Sequence, residues 1–83
     1  MQEGLLWFDP DKRRAPQEKL DQAAERFAQR CGRAANLCHV NPADLFTHPT
    51  IRVLPNPAIL RGHLWVGRDE ELEAAPRHRR KIA

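Results

Sequence analysis

The side chains with the greatest chemical potential in this 83-residue chain are two cysteines, Cys31 and Cys38, and three histidines, His39, His48 and His63. These are the residue types of a zinc site or of a thiolate–imidazole nucleophile pair. Their spacing argues against both. No Cys-x-x-Cys or His-x-x-x-His is present, and Cys38 and His39, as neighbours in a strand, point to opposite faces. A nucleophilic cysteine needs an accessible thiolate, whereas both cysteines fall inside regular elements among packing residues. They read as buried free thiols, which suits a reducing cytoplasm. Glu70, Glu71 and Glu73 read as a solvated face, not as paired carboxylates, and no Gly-rich phosphate loop occurs. The expectation is a protein with no catalytic residues, no metal and no cofactor.

Charge supplies the remaining chemistry. The formal net charge is +3, from 14 Lys and Arg against 11 Asp and Glu. Four of the basic residues, Arg77, Arg79, Arg80 and Lys81, sit in one short tail, so the body of the chain is about neutral. Such a tail can neutralise phosphates in a salt-sensitive, sequence-indifferent way, and a smaller basic group, Lys12, Arg13 and Arg14, could join it. No aromatic residue is interleaved with the tail, so base stacking is not indicated.

The elements that must position these groups are organised around one helix over residues 16–32. Leu20, Ala23, Ala24, Phe27 and Cys31 recur at helical spacing on one face, while Asp21, Gln22, Glu25, Arg26 and Gln29 take the other. Pro16 suits the first helical position, Glu18 the acid-preferring first turn, Arg30 the last turn and Gly32 the stop. Ala15 is a poor N-cap. Short apolar runs bounded by turn residues give strands at 5–8, 36–41, 51–54 and 63–67, and Asn41-Pro42-Ala43-Asp44 reads as one capped helical turn. The fold class is therefore α/β (α+β): a small mixed four-stranded sheet with one main helix, in the order β-α-β-(turn)-β-β. The first two strands are expected to run parallel, and the last two to pair antiparallel. Residues 1–73 form the single domain, and 74–83 a flexible basic C-terminal tail.

One helix covers one face of a sheet, yet the strands are apolar on both. A domain of this length removes only about 60 to 65% of its unfolded surface from water, so help from a partner is expected. Cover for the second face comes either from Phe46 and the loop over 55–62, or from a second copy or another protein. Trp7, Leu54 and Trp65 are the candidate interaction residues, since tryptophan concentrates binding energy. The functional expectation is a small cytoplasmic, non-enzymatic protein-interaction module that is homodimeric. The alternative is an accessory nucleic-acid binder acting through Arg77, Arg79, Arg80 and Lys81. Met1-Gln2-Glu3 shows no basic or apolar signal region, and no apolar run approaches the length of a membrane span, so neither export nor a membrane partner is expected.

The run GRAANLCHVNPADL, followed by a short strand, a Pro-rich loop and GHLWVG, resembles a family of short bacterial proteins with a glycine-arginine-x-x-asparagine-leucine-cysteine pattern. The resemblance spans half to two thirds of the chain; it implies a small βαβ-type unit and brings no activity, ligand or catalytic residue. The helix, the second strand, the Asn41-Pro42 turn and the closing Val66-Gly67 are also similar to part of the peripheral domain of tailed-phage major capsid proteins. A chain this short is not a capsid subunit, and no residue is carried across.

Overall fold

In a computed structural model, which describes residues 3–69, the chain runs β1 (Glu3–Phe8), α1 (Pro16–Cys31), β2 (Leu37–Val40), a 3-10 turn (Pro42–Asp44), β3 (Arg52–Pro55) and β4 (His63–Arg68). The acidic run after Asp69 and the basic tail lie outside the described residues. Each boundary has a local cause. After β1, Asp9 Oδ1 accepts the Asp11 N–H at 3.0 Å and Asp11 Oδ1 accepts the Arg13 N–H at 2.9 Å, so the two aspartates make the turn. The Arg13 N–H, helped by the Arg13 side chain and the charges of Arg14 and Lys19, holds the Asp11 carboxyl below its ordinary value against a small burial cost. Ala15 has no side-chain acceptor to offer α1. The start is secured from the other side, by Glu18 Oε1 accepting the Ala15 N–H at 3.1 Å, with Pro16 in the first turn. At the far end Gly32 adopts φ 75°, and its N–H donates to Ala28 O at 2.7 Å.

The sheet order is β1-β4-β2-β3, with β4 antiparallel to both of its neighbours and β2 parallel to β3. The mixed four-stranded sheet with one main helix is the expected class, but the pairing differs. β1 and β2 do run the same way, with β4 inserted between them. β3 does not pair with β4; it is an edge strand against β2. The cause is the segment over 56–62, which crosses the end of β2. There the Asn56 N–H donates to Val40 O at 2.7 Å and Asn41 Nδ2 donates to Ile59 O at 2.9 Å. Thus β4 enters the slot beyond β2 and gains two partners, which fits the burial of Leu64, Val66 and Gly67 along it.

Register then sorts the side chains. Leu5, Val66, Cys38 and Val53 form one row across the sheet, and Trp7, Leu64 and Val40 another; these face α1 and pack with Leu20, Ala23 and Phe27. The connection over 41–51 lies on this same side. Phe46 and Ile51 enter the same core, Gln17 Nε2 donates to Thr47 O at 2.8 Å, and His48 Nε2 meets Asp21 Oδ1 at 2.7 Å. Phe46, named in one of the two alternatives for covering the second face, therefore lies on the helix side instead; its connection is tied to the helix by Gln17 and Asp21.

Candidate functional site

The site of interest is the face opposite α1. Alternation and register place Leu6, Trp65, His39 and Leu54 in one row across all four strands, with Phe8 and His63 paired in the next. Aromatic contacts organise it. The Trp65 indole lies over Gly4, where a Cβ would overlap its six-membered ring, so a glycine in β1 provides the seat for a tryptophan in β4. His39 approaches Trp65 edge-on, with centroids 5.2 Å apart, and Phe8 stacks on His63 at 4.5 Å. Exposure is concentrated at one side of this face. Leu6 is 58% and Phe8 56% exposed, both on β1, whereas Trp65, His39 and Leu54 are half-buried.

The three candidate interaction residues separate. Leu54 and Trp65 share the open face. Trp7 packs on the helix side against the core, where its Nε1 is buried without a hydrogen-bond partner. Sequence reasoning gave no special place to Leu6, Phe8 or Gly4 on this surface. Their signal was the single-residue alternation of Gly4, Leu6 and Phe8 with Leu5 and Trp7, which becomes informative only once β4 is known to pair with β1. Arg77, Arg79, Arg80 and Lys81 lie outside the described residues.

The residues of possible chemistry are engaged structurally. Cys31 and Cys38 are free thiols; Cys31 is half-buried, less enclosed than expected, and burial pushes the Cys38 thiol up to about 12, a protonated group with no nucleophilic character. As their strand positions require, Cys38 faces the core and His39 faces Trp65. His48 Nδ1 accepts the N–H groups of Thr50 at 3.2 Å and Ile51 at 3.1 Å, which places its proton on Nε2, toward Asp21. His63 Nδ1 donates to Arg61 O at 3.1 Å. Among the described residues no three of His, Cys, Asp and Glu converge on a point that could hold a metal ion.

An open cleft of about 780 Å³ lies where β1 and β2 end, between Phe8, Lys19, Phe46, Leu45, Arg61 and His63. Four of its charged groups, Asp9, Lys19, Asp44 and Arg61, are already committed. Lys19 Nζ donates to Asp9 O at 3.0 Å, and Asp44 takes the Arg61 Nε–H at 2.7 Å and the Gly62 N–H at 3.0 Å. Burial disfavours the charged form of Asp44, but the Gly62 N–H and the Arg61 guanidinium outweigh it and hold the carboxyl below its ordinary value. These bonds fasten the crossing segment to the 3-10 turn. They close the end of the sheet.

No described helix is long and apolar enough to cross a membrane. Comparison with family models, with curated proteins and with solved structures gave no match to this chain.

Proposed function

We propose that this chain is a small, non-enzymatic protein-interaction module that associates, with a second copy of itself, through the sheet side opposite α1. The observation that carries this reading is the distribution of cover. The helix and the connection over 41–51 both lie on one side, while on the other Leu6 and Phe8 are more than half exposed beside half-buried Leu54 and Trp65. The two free thiols suit a reducing compartment, and we place the protein in the cytoplasm on that ground. Sedimentation of the full chain across the micromolar range tests the reading. The expected result is a dimer whose population rises with concentration. A strictly monomeric mass at the highest concentration would contradict it.

A second reading rests on the clustering of four of the fourteen basic residues at Arg77, Arg79, Arg80 and Lys81. As an accessory nucleic-acid binder the chain would attach through about four phosphate contacts, with a log-log salt slope near −3 to −4 that vanishes on truncation before Arg77. A gel shift at low and moderate salt separates this reading from the first.

A further inference from the structure

The two edges of the sheet are unlike. β3 is short, carries exposed Arg52 at one end and ends in Pro55, which has no N–H to give; both features discourage pairing with another strand. β1 is longer and carries neither lysine nor proline between Glu3 and Phe8. Its outward groups follow from its ladder. The Asp9 N–H donates to Gly62 O at 3.4 Å, continuing the register in which Trp7 opposes Leu64 and Leu5 opposes Val66. Antiparallel ladders bond every second residue. Leu5, Trp7 and Asp9 are therefore the residues bonded to β4, and the N–H and C=O groups of Gly4, Leu6 and Phe8 point away from the sheet.

That free set is symmetric about Leu6, and from this we infer that β1 is a dimerisation edge, pairing antiparallel with β1 of a second copy across a two-fold axis at Leu6. The inference rests on the self-associating module reading and places the contact at the β1 edge, where the side opposite α1 is most exposed. Gly4 pairs with Phe8 of the other copy and Leu6 with Leu6, giving about six main-chain hydrogen bonds and one eight-stranded sheet with both helices on the same side. Side chains agree with the register. The two most exposed apolar residues of the open face, Leu6 and Phe8, are the two that the pairing flanks. Leu6 meets Leu6 between the two Trp65 rings. Phe8 arrives beside Gly4 of the second copy, the position over which Trp65 already lies, so that the two aromatic rings meet edge to edge. A peptide of another protein could use the same edge, but it would not be matched to this alternation of glycine, leucine and phenylalanine by symmetry. Asp9, at the end of this edge, is already paired with Arg14 at 2.9 Å.

Amide exchange on the full chain, combined with sedimentation, tests the inference. In the dimer the N–H groups of Gly4, Leu6 and Phe8 should gain protection as concentration rises, while those of Leu5 and Trp7 are protected throughout. Leu6→Pro removes an N–H that β4 does not use and should give a folded monomer. Leu6→Lys keeps that N–H but opposes two like charges at the axis, and should weaken dimerisation by roughly tenfold or more. A dimer that survives either substitution, or in which the three outward amides exchange freely, overturns the edge while leaving a face-to-face module standing. Protection of those amides that appears only when another protein is added overturns the second copy as occupant. A wild-type chain that stays monomeric overturns both the edge and the reading beneath it.

Discussion

The two faces of the sheet are built from the same strands, one residue out of phase, and they end in different states. On one face Leu5, Val66, Cys38 and Val53 lie under Leu20, Ala23 and Phe27, with Phe46 and Ile51 closing the margin; Cys38 and Val66 are wholly inaccessible there. On the other, Leu6, Trp65, His39 and Leu54 form a row that is apolar but for the histidine and runs out at β1 with Leu6 and Phe8 more than half exposed. The second face carries His39 and His63 among its apolar residues, and its exposure is concentrated at β1. Among the described residues one helix packs on this sheet, and the exposed apolar margin at β1 contributes to stability only when something is laid against it or beside it.

The comparison can be broken most severely on the covered face. Phe27 is the largest side chain that is fully buried, and Phe27→Ala should cost about 3 to 5 kcal/mol in a denaturant titration, enough to unfold a domain this small. A loss below about 1 kcal/mol would mean that the helix does not carry the core. The open face should respond less. In Gly4→Ala the new methyl must displace the Trp65 indole, an overpacking cost of about 1 to 3 kcal/mol that a partly exposed ring can reduce by moving outward. Its signature is a change in tryptophan emission; an unchanged spectrum would show that Gly4 does not seat the ring.

The helix, both of its ends and its buried face are legible in the sequence, because three-and-four spacing, Pro16 and Gly32 act locally. The four strands are legible for the same reason. Which strand neighbours which is not, because β4 reaches its place through a segment that crosses the end of β2, bonded there by Asn56 N–H to Val40 O and by Asn41 Nδ2 to Ile59 O, and nothing in strand patterning encodes that crossing. The candidate surface inherits this limit. Trp7 and Trp65 are equivalent as residue types, and the register alone sends one to the core and the other over Gly4. The need for a second cover follows from apolar strands with one helix, whereas its concentration at Leu6 and Phe8 depends on β1 being an edge. His48 shows the reverse case: a residue type associated with chemistry, here holding the 41–51 connection to Asp21 and to its own backbone.

The most direct test of the face opposite α1 is a spectrum of Trp65 alone. Trp7→Phe leaves it as the single tryptophan, and the substitution should be tolerated, since it keeps an aromatic ring in the core and removes a buried N–H that has no partner. Trp65 emission is then followed as the protein is concentrated through the micromolar range. If the open side is where copies meet, the emission maximum shifts to shorter wavelength as the dimer fills and returns on dilution. An emission maximum that stays fixed while sedimentation reports a monomer throughout would contradict the account.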